Sequence, residues 1–185
     1  SAFVHDITER KQVEAIREHE ATHDPLTGLL NRRGMFDLLS QAIARVKRTR
    51  ASLALLFIDL DGFKQINDTH GHEAGDAVLR EVAARLQASI RQTDTAARLG
   101  GDEFTVILEN IKHGIPDANM LAQKILETLQ HPIQLDSVTA TISASIGISM
   151  HHPDDERSAD QLVNAADSAM YTAKHAGKNQ VCVHK

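Results

Sequence analysis

The chain has 185 residues, a formal net charge of -5 at neutral pH, 42% hydrophobic and 24% charged residues, the composition of an ordinary globular domain. A chain of this length buries roughly 70% of its unfolded surface, and its acidic balance argues against a general nucleic-acid or membrane surface. The single cysteine, Cys182, excludes an intrachain disulfide and fits a reducing compartment, and no apolar run approaches the ~18 residues of a membrane span.

Residues 1–6 are predicted as a terminal strand, with Ala2, Phe3 and Val4 as its apolar part and Thr8 as the cap of the helix that follows. Residues 9–22 lack Gly and Pro and predict a helix of roughly 21 Å. Its apolar positions, Val13, Ala15 and Ile16, are sparse, so it is either a signalling helix that pairs with its copy or a solvated linker. The abrupt start, without a signal peptide, reads as a fragment of a longer protein.

A compact domain is expected over residues 23–185. Met35, Phe36, Leu39, Ala42 and Val46 have helical spacing, and residues 52–59 form an apolar run of strand type. Val78, Leu79, Val82, Leu86 and Ile90 predict a second helix, and residues 104–108 a second strand. Leu121, Ile125 and Leu129 predict a third helix, and residues 138–150 one long third strand. Leu162, Ala166, Ala169 and Ala173 predict a fourth helix stopped near Gly177, and residues 181–183 close the domain. Strands separated by helices indicate an α/β or α+β fold with helices packed on a sheet.

Two segments carry candidate chemistry. In FIDLDGFKQIND an apolar strand ends in Asp59 and Asp61, one residue apart, before Gly62. Carboxylates placed so suit a hard cation, although strands also end in Asp where the chain turns. In RLGGDEFTVIL two glycines fit a tight hairpin, with Asp102 and Glu103 at its tip. The bland alternative is a pair of solvated loop acids. Glycine at the tip would also let a phosphate-bearing ligand approach the backbone.

The string Gly100-Gly101-Asp102-Glu103-Phe104 resembles the signature of the GGDEF family of diguanylate cyclases. DPLTGLLNR at 24–32, DLDGFKQIND at 59–68, GHEAGD at 71–76 and ADSAMYTAKHAGKN at 166–179 resemble the family's other motifs, in family order, over residues 23–185. The resemblance implies an α+β fold with a central, mainly antiparallel sheet, like the palm of nucleotide cyclases and polymerases. It implies condensation of two GTP into cyclic di-GMP and two pyrophosphates across a homodimer, with two Mg²⁺ or Mn²⁺ per GTP. It places the metal ligands at Asp59, the Leu60 carbonyl, Asp102 and Glu103. Gly100, Gly101, Asp102 and Glu103 form the catalytic signature, and Glu103 lies near the reacting ribose. Asn67 and Asp76 resemble the guanine readers; a carboxylate accepts from guanine N1–H and N2–H₂ together, a pattern adenine lacks. Phe63 and Lys64 would offer backbone donors, and Lys174 and Lys178 side-chain charge, to the phosphates. The two lysines would also be favoured at a helix C-terminus by the macrodipole alone. Family members often have Arg where this chain has Lys178, so the planar fork is lost there.

Arg91 and Asp94 resemble the RxxD site at which the product inhibits, although the spacing also suits a plain surface ion pair. The basic stretch Arg45, Lys47, Arg48, Arg50 is a candidate for the second half of that site or a solvated helix end. VHDITERKQ resembles the exit strand of a PAS sensor running into its output helix, which implies an upstream sensor domain, residues 1–22 being its tail. The family setting is the bacterial cytoplasm, with no nucleic-acid partner and no membrane contact by this segment. The rival functions are a catalytically silent receptor for cyclic di-GMP, a synthase of an adenine-containing dinucleotide, for which a smaller residue at Asp76 is expected, and a pure dimerisation module. His70 and His72 are spaced so that they would not face one metal from a helix, and His72, which resembles a family position, reads as structural; His151 and His152 are assigned nothing, Cys182 reads as an apolar filler, and Tyr171 is expected to pack or hydrogen-bond within the last helix.

Overall fold

The computed structural model describes residues 1–185. It opens with helix α1, Ala2–Thr22, in a single run. The strand predicted for residues 1–6 is therefore corrected to helix. A strand needs a partner edge for its backbone groups, and no sheet lies near this segment, whereas a helix satisfies them internally. The i,i+4 pairs His5–Glu9 (3.2 Å) and Arg10–Asp6 (3.7 Å) line its surface. Thr8 is not a cap: its hydroxyl donates back to the Val4 carbonyl at 2.9 Å. No residue of α1 is buried, and Phe3 is 76% exposed.

Helix α2, Arg32–Thr49, is capped by Asn31, whose side chain accepts from Gly34 N at 2.9 Å. The same asparagine donates from Nδ2 to the Ala21 carbonyl and from its backbone N to the Thr22 carbonyl, so one residue starts α2 and ties down the end of α1. Then follow strand β1, Ser52–Asp61, helix α3, Phe63–His70, helix α4, His72–Ser89, and the hairpin of β2, Thr95–Gly100, with β3, Glu103–Ile111. Helix α5 spans Ile115–Leu129, strands β4 and β5 Ile133–Leu135 and Val138–Ala140, strand β6 Ser143–His151, helix α6 Ala159–His175 and strand β7 Gln180–Val183. The α3 helix is absent from the sequence prediction because its two turns bury only Phe63 and Ile66, too few positions to show a period. The long strand predicted over 138–150 is two strands. Residues 138–140 pair with β4 in a separate hairpin, and only β6 joins the main sheet.

The main sheet has the order β2-β3-β1-β6-β7, antiparallel except for β6 against β7. This is the expected α+β architecture. Alternation along β1 sorts its side chains by face. Ala54, Leu56, Ile58 and Leu60 join a core with α4 and α5, while Leu53, Leu55 and Phe57 join one with α2 and α6. A strand buried on both sides reads as one apolar run, which is why residues 52–59 show no polar alternation.

Helix α6 crosses β6 at a glycine. A Cβ at Gly147 would lie 2.0 Å from the Ala166 carbonyl oxygen and 2.2 Å from Met170 N, backbone atoms that cannot step aside. Gly147→Ala is expected to destabilise the fold by about 3 kcal/mol through forced separation of helix and sheet. Urea unfolding measures this, and a loss below about 0.5 kcal/mol would show that the crossing is not tight.

Candidate functional site

The site is built at the end of β1, the central strand. Asp59 pairs across the sheet with Glu103 on one side and Ser145 on the other, and Asp61 pairs with Ser143. The β2–β3 hairpin slips register between Arg98 and Gly100, and its tip turns through Gly100 at φ 138° and Gly101 at φ 50°, where a side chain would be strained. Leu60 N then donates to the Asp102 carbonyl at 3.2 Å, fixing the hairpin tip beside the strand end. The sequence-predicted Asp59, Leu60, Asp102 and Glu103 are thereby brought together.

These acids repel one another. Burial and the adjacent Asp102 charge push the Asp59 carboxyl from its ordinary 3.8 up to about 6, with Lys174 opposing. Asp59 Oδ1 is buried and makes no aligned hydrogen bond, although Lys174 Nζ lies 3.3 Å away. Burial also raises Glu103, aided by Asp167 and Asp102 and opposed by Arg32, whose Nη2 is 4.0 Å from its carboxylate. No group of three or more His, Cys, Asp or Glu side chains is already drawn together as a metal cage; the oxygen donors at the strand end are the Asp59, Asp102 and Glu103 carboxylates and the Leu60 carbonyl.

Asp61 behaves differently. Its Oδ1 accepts from Ser145 Oγ at 2.8 Å and from Lys174 Nζ at 3.0 Å, and its Oδ2 accepts from Ser143 Oγ at 2.8 Å and Asn179 N at 3.0 Å. Burial pushes its carboxyl up, but these donors outweigh it and hold Asp61 below the usual carboxylate range. The sequence marks Asp61 only as one of two strand-end acids. Its partners stand 82–118 residues away, so no local pattern reveals them.

Beyond Gly62 the first turn of α3 opens its N–H groups toward a cleft of about 450 Å³. Phe63, Lys64, Asp102, Lys174 and Lys178 line this cleft together. Lys178 sits at φ 61° and Asn179 at φ 48° in the turn that follows α6, and Lys178 N caps the helix through the Ala173 carbonyl at 3.1 Å. Asn67 lies on α3 between Gln65 and Asp68, both of which line the cleft, and Asp76 lies in the first turns of α4. A Cβ at Gly75 would fall 1.8 Å from Asn67 Oδ1, so the amide rests on the α4 backbone beside Asp76.

A second cation link was not foreseen from sequence. Arg98 Nη1 bonds Asp24 Oδ1 at 3.0 Å, while its Nε and Nη2 donate to the Gly101 carbonyl at 3.0 and 2.9 Å. The available signal was a lone Asp in DPLTGLLNR and a lone Arg in RLGGDEF, 74 residues apart. Their charges are complementary, but only the fold makes them neighbours. Elsewhere, Arg91 grips Asp94 in a fork, Nε to Oδ2 at 2.9 Å and Nη2 to Oδ1 at 2.8 Å, and Nη2 also reaches the Glu109 carbonyl. The Asp94 side chain is fully buried and Arg91 is 56% exposed. Of the basic stretch, Arg45 pairs with Glu109, Lys47 with Glu156 and Arg50 with Asp154. Tyr171 is exposed and lies over His175 at 3.9 Å between ring centroids.

The folded chain holds the Asp59 proton more tightly than an unfolded chain does, so the ionised group opposes folding above pH 6, and the opposition fades as pH falls toward 4. Asp59→Asn is therefore expected to raise stability at pH 7.5 by about 1–3 kcal/mol. The gain should shrink toward zero at pH 4. Thermal unfolding in chelator across this range is the check, and a gain unchanged at pH 4 would place its origin elsewhere.

A family model described as "Diguanylate cyclase, GGDEF domain" matches residues 21–180. The bifunctional diguanylate cyclase/cyclic di-GMP phosphodiesterase MucR of Pseudomonas aeruginosa is 46% identical over 162 residues, 88% of this chain and 23% of MucR. The solved GGDEF domain of TpbB, also from P. aeruginosa, superposes with a TM-score of 0.84 at 41% identity, covering 88% of this chain and 94% of that one. The coiled coil and GGDEF domain of DgcB from Caulobacter crescentus, solved with c-di-GMP, gives a TM-score of 0.88 at 28% identity, covering 98% and 95%. The chain spans less than half the length of the curated relatives it matches, some of which are named phosphodiesterases. With its signature at a hairpin tip beside Asp59, the chain belongs to the GGDEF family of diguanylate cyclase domains.

Proposed function

We propose that residues 23–185 form a catalytic domain that joins two GTP molecules into cyclic di-GMP, releasing two pyrophosphates. Residues 1–22 serve as the output helix of an upstream sensor. The observation that carries this is the buried Asp59 Oδ1, without an aligned donor and next to the charge of Asp102, which itself lines a cleft with two lysines and the start of α3. A carboxylate lifted by a like-charged neighbour is suited to a cation. The donor set is oxygen only, which fits Mg²⁺ or Mn²⁺, two per GTP, held by Asp59, Asp102, the Leu60 carbonyl and Glu103. When bound, such ions polarise the α-phosphate and acidify the attacking 3′-hydroxyl.

The chain's own groups do the positioning. Backbone N–H groups of Phe63 and Lys64 cradle the phosphates, and Lys174 and Lys178 neutralise them. Asn67 and Asp76 read the guanine edge. Glu103 stands at the ribose, beside Arg32. Each domain holds one GTP, and two domains must face each other so that each 3′-hydroxyl attacks the other's α-phosphate. The exposed apolar residues of α1 suit pairing with the copy's α1, which would set that dimer.

Arg91 and Asp94 form the product site. The buried Asp94 fixes the guanidinium plane and leaves Nη1 free for a guanine edge or phosphate of cyclic di-GMP. Because that fork is built apart from the catalytic cleft, a silent receptor is the alternative function, and pyrophosphate release separates the two.

The test is incubation of the chain, freed of bound dinucleotide, with GTP and Mg²⁺. A fused coiled coil can force pairing. Cyclic di-GMP and pyrophosphate are expected, and binding without synthesis in the forced dimer would leave the receptor function. Asp102→Ala should lower synthesis by at least ~100-fold while cyclic di-GMP still binds; retained turnover would remove Asp102 from the metal set. Arg91→Ala should raise the product concentration for half-inhibition by about tenfold or more with initial rates unchanged. Unaltered inhibition would move the product site elsewhere.

A further inference from the structure

We infer that Lys174 is a tethered cation that shares its oxygen ligands with the divalent ion and must leave them before that ion binds, with Asp61 as its positioning residue. The inference rests on the metal-assisted function proposed above. Lys174 Nζ donates to the Leu60 carbonyl at 3.0 Å and stands 3.3 Å from Asp59 Oδ1. Those two oxygens belong to the donor set assigned to the metal. A divalent ion needs them at about 2.1 Å, and an ammonium on the same pair of oxygens would then sit against a like charge.

Asp61 decides where the ammonium rests. Lys174 Nζ is 3.0 Å from Asp61 Oδ1, and the remaining capacity of this carboxylate is taken by Ser143, Ser145 and Asn179 N. Asp61 is therefore a fixed anchor and not a spare metal ligand. Lys174 also lines the cleft with Lys178 and the start of α3, where the triphosphate is expected. Its long stem lets the ammonium pivot from Asp59 to a phosphate oxygen while it remains near Asp61. Nucleotide then draws Lys174 off Asp59 and the Leu60 carbonyl, and the divalent ion takes its place. Metal and nucleotide bind synergistically as a result, and the acidic cluster stays partly neutralised at every stage.

The test measures binding without turnover. Mn²⁺ affinity is read by electron paramagnetic resonance of the free ion, alone and with the slowly reacting analogue α,β-methylene-GTP. The wild-type chain should bind Mn²⁺ at least tenfold more tightly with the analogue than without it. Lys174→Met should bind Mn²⁺ alone at least fivefold more tightly than wild type, and the analogue should add little further. If Lys174→Met does not fold because Asp61 is left unpaired, Lys174→Met/Asp61→Asn removes both charges and carries the same expectation. Equal or weaker Mn²⁺ binding by the folded variant overturns the inference. Asp59→Asn distinguishes the levels. If it loses Mn²⁺ while Lys174→Met gains none, only the exchange is wrong. If it binds Mn²⁺ like wild type, the metal site fails and the exchange fails with it.

Discussion

Negative charge gathers at the end of the central strand, and much of the surrounding structure answers it. Asp59, Asp61, Asp102 and Glu103 come from two adjacent strands and one hairpin tip, and Asp167 adds its field from α6. Burial makes each charge harder to keep, since desolvation is the largest influence on Asp59, Asp61 and Glu103 alike. Asp61 escapes through four donors, whereas Asp59 has only a long contact with Lys174. Two carboxylates on one strand, one residue apart, thus have opposite protonation tendencies. The satisfied one serves as scaffold, and the frustrated one is the carboxylate to which the proposed function assigns a cation.

Placing the frustrated acids requires a rigid hairpin tip. Glycines permit the turn but do not hold it. Arg98 supplies the hold by binding the Gly101 carbonyl twice and Asp24 once, with both side chains of the ion pair well shielded. Burial pushes the Asp24 carboxyl up, but the side-chain and backbone hydrogen bonds from Thr27, together with Arg98, hold it below its ordinary range. Asp24 lies just beyond the end of α1, and Asn31 ties that helix end to the start of α2. The outer helix and the hairpin that carries Asp102 are therefore joined by hydrogen bonds through a few residues. That short path is a physical basis for an orientation of α1 to be felt at the site.

Legibility in the sequence followed the range of the interaction. Helices α2, α4, α5 and α6 and strands β1 and β3 announced themselves because each carries a full period of buried side chains. Residues 1–6 were misread because apolar Ala2-Phe3-Val4 has strand character only if an edge exists to receive it. Strands β4 and β5, three residues each, and the small-residue strand β2 carry too little pattern to be separated. At the site, motif residues such as Asp59, Asp102 and Lys174 were legible as letters. The Arg98 link, the Asp61 hub and the contact of Lys174 with the Leu60 carbonyl were not, because each joins positions distant in sequence.

The order of the sheet has a kinetic consequence. Strand β1 is completed on one side by β3 and on the other only by β6, about 90 residues later, and Asp61 obtains its last donor from Asn179. Loops of that length close slowly relative to local helices. During synthesis, α2, α4 and the β2–β3 hairpin can form while Asp61 still lacks all four of its donors, which come from Ser143, Ser145, Lys174 and Asn179. The acidic strand end then lies open to solvent, which suits ionised carboxylates, and it is sealed only as α6 and β7 dock. The candidate site is in this sense the last part of the domain to mature, and a chain truncated before residue 143 would retain the segments of α1 to α5 while Asp61 lacked every one of its donors.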